Sequence, residues 1–173
     1  MSSLDWAGVI AKLENGLDLL PLEAQAVMRE VLEDRTDKEV LKSFLIALKN
    51  KGETPEEVGA LVAQMYQFCS PITINERAVD TVGTGGDGAH TINISTTAAI
   101  IAAAAGSRVV KHGNRAASSK SGAGDLLEAL GVAINLDGAK VAQTVAELGI
   151  GFCFAPIFHP AMRFAAPARK ELA

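Results

Sequence analysis

The chain has 173 residues, a formal net charge of −4 and an apolar share of 49%. This length allows one domain with a full core, or a small domain beside part of a larger one. The negative charge argues against a general nucleic-acid binder, and the longest apolar run, Ala98 to Ala105, is too short to cross a bilayer.

The start of the chain and its two cysteines favour a cytoplasmic location. Residues 1–5 lack the positively charged stretch that opens a secretory signal. Cys69 and Cys153 have neither the spacing of a zinc site nor that of a disulfide framework. We therefore expect two buried free thiols in a reducing compartment.

Residues 1–70 are predicted to form a helical domain of four helices. Apolar residues recur at roughly helical spacing in residues 4–33, which indicates the first two helices. Thr36 and Glu39 have the spacing of a capping box that opens a third helix. Thr54-Pro55-Glu56-Glu57 repeats this start signal for a fourth, with proline at its first position. Nothing in these helices suggests catalysis.

Residues 71–173 are predicted to form a parallel-sheet α/β domain, because strand and helix candidates alternate along them. The four strand candidates are Ala78–Val82, Arg108–Lys111, Val132–Asn135 and Ile150–Phe154. In such sheets ligands bind outside the carboxyl ends of the strands. Gly83, Lys111 and Ala155 lie at those ends, which is where we expect the site.

Three helices are predicted between these strands. Ser95 or Thr96 can cap an alanine-rich helix, and a short helix is expected over residues 125–130. Asp137 is expected to cap a third helix, which Gly149 ends.

A glycine-rich turn, Gly83 to Gly88, follows the first strand candidate. Its spacing matches the dinucleotide-binding fingerprint, but in that fold the helix starts at the loop and an acidic residue ends the second strand. Here the helix starts only near Ser95, and the second strand ends in Lys111-His112. Four glycines in six residues allow backbone amides to approach an anion closely, so we predict a phosphate-binding turn, with an ordinary tight turn as the alternative.

Two further segments offer groups for the same anion. Asn93-Ile94-Ser95-Thr96 supplies an amide, two hydroxyls and a helix N-terminus, although a simple helix cap explains it equally well. The Ser95 hydroxyl can also ligate magnesium on a pyrophosphate. Residues 111–119 bring a lysine, an arginine and two serines directly after apolar strand residues, and no acidic residue occurs within 107–120. His90 and His159 show no metal-ligand spacing.

Together these motifs closely resemble those of anthranilate phosphoribosyltransferases. The matching segments follow the same order over essentially the whole chain: Asp80–Gly88, Asn93–Thr96, Lys111–Ser119, Gly151–Pro156 and His159–Arg163. Pyrimidine nucleoside phosphorylases share the fold plan but lack the Lys-His-Gly-Asn-Arg loop. The resemblance implies a small helical bundle followed by the first part of a nucleoside phosphorylase/phosphoribosyltransferase α/β domain. Four strands are few for such a domain, so we expect it to be incomplete at its C-terminus.

The family resemblance implies transfer of a phosphoribosyl group from phosphoribosyl pyrophosphate to the amine of anthranilate, in tryptophan biosynthesis. By motif, the residues expected to bind phosphoribosyl pyrophosphate are Gly83, Gly86, Asp87, Thr91, Asn93, Ile94, Ser95, Thr96, Lys111, His112, Gly113, Asn114, Arg115, Ala116, Ala117, Ser118, Ser119 and Ala123. Gly83, Asn114 and Arg169 would face anthranilate, with Arg169 pairing with its carboxylate. Ser95 would touch Mg²⁺, the implied cofactor, and no catalytic residue is assigned. Family members often have serine where Ala123 stands.

The resemblance also implies a homodimer through the helical domain, without nucleic-acid or membrane partners. The family's acidic Asp-Glu pair for magnesium lies in its second half, beyond this chain, so we expect the 173-residue chain alone to be inactive or nearly so. Two alternatives remain open. One is a non-catalytic binding or assembly module of the same fold, and the other is an NADP-dependent oxidoreductase, given Lys111 and Arg115 after the second strand.

Overall fold

The structure is a computed structural model that describes residues 4–83, 92–116 and 121–172. The elements in chain order are α1 (Trp6–Glu14), α2 (Pro21–Leu32), α3 (Lys38–Lys51), α4 (Pro55–Tyr66), α5 (Ile94–Ala104), β1 (Val109–Gly113), α6 (Ala123–Ala129), α7 (Gly138–Leu148), β2 (Ile150–Phe154), α8 (Ala155–Phe158), a 3₁₀ helix (Pro160–Phe164) and α9 (Ala166–Leu172). Within these ranges no helix is both long enough and apolar enough to cross a bilayer.

The chain forms two compact units. A helical unit consists of Met1–Cys69 together with Ala161–Ala173, and an α/β unit consists of Ser70–Pro160. The C-terminal segment therefore packs with the helical unit, whereas all of residues 71–173 were predicted to form the α/β domain.

The helical unit is the bundle that the apolar spacing predicted. Side chains from α1 to α4 form one buried core, and Ala165 and Ala168 of the C-terminal segment join it. Trp6 and Phe44 meet edge to face in this core, with their ring centres 5.8 Å apart. Small side chains on α9 thus allow that helix to pack closely against the bundle.

The capping box predicted for α4 is confirmed, and its glutamate also bonds to residues outside the helix. Thr54 Oγ1 accepts from the Glu57 amide at 3.2 Å, and the Glu57 carboxylate accepts from the Thr54 amide at 2.8 Å. This carboxylate is fully buried and also accepts from the Leu19 amide and the Lys51 ammonium, each at 2.8 Å. Burial opposes ionisation of Glu57, but these hydrogen bonds outweigh it and hold the pKa of the carboxyl group below its usual range.

The capping box predicted for α3 is wrong. The N-cap is Asp37, whose Oδ1 accepts from the Glu39 amide at 2.8 Å and the Val40 amide at 3.4 Å. Thr36 Oγ1 is buried and has no hydrogen-bond partner among the described residues. Asp37 rather than Thr36 caps the helix because it is one residue closer to the first-turn amides with which an N-cap side chain bonds.

The α/β unit contains a parallel pair of strands, β1 and β2, with Val109 opposite Ile150. This confirms the parallel architecture but only two of the four predicted strands. The strand predicted over residues 78–82 is reduced to a single parallel bridge between Val79 and Val109. Residues 132–135 form no strand, because the Val132 amide donates to a carbonyl of α6 at 2.9 Å instead of to a sheet.

The helices of this unit begin close to the predicted places, with two corrections. Asn93, not Ser95 or Thr96, is the N-cap of α5, and its side chain makes no capping hydrogen bond. The helix predicted from residue 125 begins at Ala123. The predicted α7 is confirmed, with Asp137 as its N-cap and Gly149 ending it in a left-handed conformation at φ 77°.

The two cysteines differ in environment. Cys153 is buried on β2 as expected, and burial raises the pKa of its thiol to about 11. Cys69 is only half-buried, because it follows the end of α4 and its thiol lies 3.1 Å from the Tyr66 carbonyl in an exposed turn. The prediction of two buried free thiols therefore holds for Cys153 alone.

Candidate functional site

Three segments of the α/β unit come together beside β1. The stretch leading to Gly83 runs along β1, since the Val110 amide donates to the Val79 carbonyl at 3.0 Å. It is joined to α5 through Thr81, whose Oγ1 donates to the Ser95 carbonyl at 2.7 Å. The third segment is the loop that follows β1. The stretch that ends at Gly83, the α5 N-terminus and the described part of the loop after β1 thus lie together, while residues 84–91 of and after the glycine turn fall outside the described residues.

Lys111 lies inside this arrangement rather than on its surface. Only 4% of the residue is exposed, and its Nζ donates to the Thr81 carbonyl at 2.5 Å. Burial lowers the pKa of the Lys111 ammonium, and the negative charge of Asp80 partly offsets that effect. The buried lysine therefore ties β1 to the stretch before the glycine turn.

The start of α5 faces the first glycine of the turn. A Cβ built on Gly83 would lie 3.9 Å from the Ser95 Oγ, so the hydroxyl and the glycine backbone are close neighbours. Asn93 Nδ2 donates to the Ser121 Oγ at 3.1 Å, which links the same helix end to the loop after β1. Ile94 is exposed, whereas Thr96 is buried. These positions offer a ligand the Ser95 hydroxyl and the first-turn amides of α5 other than that of Ile94, which donates to the Ile92 carbonyl at 2.7 Å.

Asp125 joins the two sides of the loop after β1 at its base. One carboxylate oxygen, Oδ2, accepts from the Ala116 amide at 2.9 Å and from the Gly122 amide at 2.7 Å. These hydrogen bonds lower the pKa of the Asp125 carboxyl group. Gly122 is required here, because a Cβ would collide with the Ala116 nitrogen and lie 2.8 Å from the Asn114 oxygen. Sequence reasoning used Asp125 only as a helix start and missed this role.

Arg115 is already paired in this structure. Its guanidinium donates to Glu128 Oε1 at 2.7 Å and lies over the Phe154 ring, 5.2 Å from the ring centre. Asn114 precedes it as an exposed residue. Gly113 ends β1, where a Cβ would lie 2.9 Å from the Phe152 ring and 3.1 Å from the Ala123 Cβ. Ala123 thus packs against the end of the strand.

His112 forms a pair with His159 that the sequence motifs did not predict. The two rings meet edge to face with centres 5.3 Å apart, and the His112 amide donates to Asp80 Oδ2 at 3.3 Å. Burial lowers the pKa of His112, and the neighbouring His159 lowers it further. The only signal in the sequence is that one histidine lies in β1 and the other shortly after β2.

Some predicted site residues lie elsewhere or outside the described residues. Those outside are Gly86, Asp87, Thr91, Ala117, Ser118 and Ser119. Arg169 lies on α9 in the helical unit, exposed and without an ion pair to any described residue. Across the described ranges, no group of three or more His, Cys, Asp or Glu side chains is placed to hold a metal ion.

Two family models match consecutive parts of the chain. The model for the glycosyl transferase family helical bundle domain matches residues 7–69, and the model for the glycosyl transferase family a/b domain matches residues 75–173.

Known relatives and solved structures agree with the resemblance read from the motifs. An anthranilate phosphoribosyltransferase of Rhodococcus jostii is 53% identical over 167 residues, which cover 96% of this chain and 46% of the relative. The crystal structure of anthranilate phosphoribosyltransferase from Thermus thermophilus has a TM-score of 0.87 and 44% identity, covering 95% of this chain and 50% of that one. The Saccharomyces cerevisiae enzyme in complex with PRPP and Mg has a TM-score of 0.88 and 28% identity, covering 99% and 52%.

The chain spans about half the length of the curated relatives that it matches. The resemblance to anthranilate phosphoribosyltransferases is confirmed over that half. Since the a/b domain model alone covers more than half of the chain, the protein belongs to this glycosyl transferase family.

Proposed function

We propose that this chain is part of an anthranilate phosphoribosyltransferase, which moves phosphoribosyl from phosphoribosyl pyrophosphate to the anthranilate amine and releases pyrophosphate. The observation that carries the proposal is the convergence of Gly83, the Ser95 hydroxyl and the loop after Lys111 beside one strand. Backbone amides at a glycine turn and a helix N-terminus suit the phosphates of such a substrate. The relatives that carry this activity by name support the assignment.

The reaction is a displacement at the anomeric carbon of ribose, so the site must stabilise the negative charge that leaves with pyrophosphate. The first-turn amides of α5 and the loop after β1, which carries Arg115, can supply that stabilisation. Arg115 pairs with Glu128 across a partly exposed surface, and such pairs are weak enough for a phosphate to compete. The aromatic amine of anthranilate is a neutral nucleophile, which reduces the need for a strong base.

The Ser95 hydroxyl fits the role of one magnesium ligand. Magnesium prefers oxygen ligands, keeps several waters and is commonly held by few protein groups together with substrate phosphates. The hydroxyl beside the Gly83 backbone suits that arrangement, because a pyrophosphate held by the turn would lie close to it. Bound Mg²⁺ would neutralise charge on the departing pyrophosphate. The yeast structure named as a complex with PRPP and Mg supports this use of the ion.

Anthranilate would be recognised mainly through its carboxylate. Arg169 is exposed on α9 without an ion pair to any described residue, so its guanidinium is available for a bidentate pair. Asn114 is exposed in the loop after β1 and offers an amide for the same substrate. We assign both residues, with Gly83, to anthranilate on the strength of the family motif.

The proposal is tested by titrating the purified chain calorimetrically with phosphoribosyl pyrophosphate and Mg²⁺, and by a parallel fluorescence titration with NADPH. We expect binding of the first ligand only, weakened by Asn93→Ala. Ser43→Ala in α3 is the control, because that hydroxyl serves only its own helix, 3.0 Å from the Glu39 carbonyl. Binding of NADPH, or of neither ligand, would contradict the proposal.

A turnover assay with both substrates and Mg²⁺ addresses the chain by itself. We propose that these 173 residues bind phosphoribosyl pyrophosphate without turning it over, because the chain spans about half the length of its relatives and the family's acidic pair for magnesium is expected in the other half. Measurable product formation by the purified chain would overturn this. Phosphoribosyl pyrophosphate binding without any anthranilate binding would instead favour a non-catalytic module of the same fold.

We further propose a cytoplasmic homodimer that associates through the helical unit. The support is an exposed apolar strip on α4, formed by Val58, Val62 and Tyr66, with Leu20 and Leu22 exposed at the start of α2. Apolar surface of this kind marks interaction sites in soluble proteins. Light scattering of the purified chain would report the mass of a dimer, and a monomer at high concentration would refute this arrangement.

A further inference from the structure

Thr81 occupies a junction that neither the sequence motifs nor the family assignment single out. Its side-chain hydroxyl donates to the Ser95 carbonyl at 2.7 Å, and its own carbonyl accepts from the Lys111 Nζ at 2.5 Å. One residue is therefore bonded to the first turn of α5 on one side and to a buried lysine of β1 on the other.

Both bonds are partly buried. Thr81 is half-buried, Lys111 is buried, and the next residue of α5 after Ser95, Thr96, is only 2% exposed. The Lys111 ammonium is a charged donor, so its bond to the Thr81 carbonyl is stronger than a bond between neutral groups. Removing the Thr81 hydroxyl would break the other bond, to the Ser95 carbonyl, and leave the Lys111 bond in place. The junction therefore resists displacement of the stretch before the glycine turn.

The position of Thr81 in the chain gives this junction its consequence. Gly83 follows two residues later, and its backbone lies beside the Ser95 side chain. The backbone carbonyl of the same serine accepts the hydrogen bond from Thr81. The main-chain ladder to β1 extends along this stretch only as far as the single bridge at Val79. Beyond that bridge, Asp80 accepts from the His112 amide of β1 at 3.3 Å, and Thr81 is bonded both to β1 and to the start of α5. The two bonds of Thr81 therefore fix how far Gly83 stands from the start of α5.

We propose that Thr81 is a positioning residue, which sets the spacing between the Gly83 backbone and the Ser95 hydroxyl and thereby the geometry of the pyrophosphate site. The inference rests on the proposed function for the identity of the ligand. Thr81 need not touch the substrate. It acts through Ser95 and Gly83, since a binding site that is displaced by a fraction of an ångström loses affinity even when every ligand group is present.

The test compares Thr81→Val, which keeps the branched shape but removes the hydroxyl, with Thr81→Ser, which keeps the hydroxyl. The matched control is Thr144→Val in α7, where the hydroxyl donates to the Val141 carbonyl of its own helix at 2.8 Å. Calorimetric titration with phosphoribosyl pyrophosphate and Mg²⁺ gives the affinity, and urea unfolding gives the stability of each variant. Thr81→Ala replaces Thr81→Val should valine prevent folding.

We expect Thr81→Val to weaken binding about 10-fold. Thr81→Ser should bind within about 3-fold of the unchanged chain. Thr144→Val, which also removes a hydroxyl that donates to a backbone carbonyl, should leave the affinity unchanged. Thr81→Val binding as tightly as Thr144→Val, or Thr81→Ser binding as weakly as Thr81→Val, would overturn the proposal.

Amide hydrogen exchange separates this inference from the proposed function. The Thr97 amide, which donates to the Asn93 carbonyl at 3.0 Å at the start of α5, should exchange faster in Thr81→Val and not in Thr144→Val. This holds even if the unchanged chain binds no phosphoribosyl pyrophosphate, in which case only the proposed function fails. Unaltered exchange in Thr81→Val would show that the Thr81 hydroxyl does not hold the start of α5 in place.

Discussion

At the scale of single residues, two buried charges show how neighbours decide what a side chain does. Glu57 stays ionised although it is fully buried, because two amides and an ammonium donate to it. Lys111 is nearly as buried, and its closest partner is a neutral carbonyl. Burial therefore lowers the pKa of its ammonium, and the negative charge of Asp80 offsets that effect only in part. The first arrangement stabilises the helical unit, and the second holds a strand beside the candidate site.

Glu57→Gln should destabilise the chain by about 3 kcal/mol at pH 7. The substitution removes the negative charge that pairs with the buried ammonium of Lys51, and it replaces an acceptor oxygen by an NH₂ group that cannot accept from the backbone amides. The pKa of Glu57 is lower in the folded chain than in the unfolded chain, where it is about 4.3. The stabilisation by the ionised carboxylate is therefore complete above the unfolded-state pKa and is lost as the pH falls through the folded-state pKa. The difference between the two proteins should therefore shrink on acidification. Urea unfolding at pH 7 and below pH 4 measures it.

Glu56→Gln is the control for that measurement. Glu56 carries the same side chain in the same first turn of α4 but is exposed, so its substitution should change stability by less than about 0.5 kcal/mol. A Glu57 effect no larger than this, or one that grows on acidification, would be inconsistent with the buried carboxylate described above.

At the scale of elements, helices were easier to predict than strands. Caps and apolar spacing are local signals, and they located α2, α4 and α7 to within a residue or two. A strand exists only where another strand pairs with it, and the sequence does not show which partner is present. The apolar stretch at residues 132–135 has strand composition, yet the Val132 amide bonds back to α6.

The N-terminus of α3 provides a sharp test of cap assignment. Asp37→Ala should cost about 1 kcal/mol, because two first-turn amides lose their acceptor. Thr36→Val should be neutral within about 0.5 kcal/mol or slightly stabilising, since it replaces a buried hydroxyl that has no partner among the described residues. Thermal and urea unfolding of the two variants decide the matter. The reverse order of effects would restore the capping box first predicted from Thr36 and Glu39.

At the scale of the whole molecule, the candidate site was predictable as a set of segments but not as a set of contacts. The carboxyl-end rule for parallel strands predicts from the sequence alone that the stretch ending at Gly83 lies beside the loop after β1, and the described residues of both segments do lie together. It did not reveal that Thr81 and Asp125 hold those segments, because a threonine after a strand and an aspartate in a first helical turn are both ordinary features. Nor did it reveal that Arg169 belongs to the helical unit, which depends on the burial of Ala165 and Ala168.

The assignment of Arg169 to the anthranilate carboxylate, made under the proposed function, gives a prediction about the two substrates. Arg169 is exposed on α9 and makes no ion pair with any described residue. On that assignment, Arg169→Ala should weaken anthranilate binding about 10- to 100-fold, the usual cost of losing a charged hydrogen-bond pair, and leave phosphoribosyl pyrophosphate affinity unchanged.

Lys170→Ala is the matched control, since it removes an exposed cation from the next position of α9. It should leave both affinities unchanged, because its side chain leaves that helix in a different direction. Calorimetric titration of each variant with anthranilate, and separately with phosphoribosyl pyrophosphate and Mg²⁺, measures the difference. Equal losses for the two ligands in Arg169→Ala would show that the arginine supports the fold rather than the anthranilate carboxylate, and an effect of Lys170→Ala on anthranilate alone would transfer the role to its neighbour.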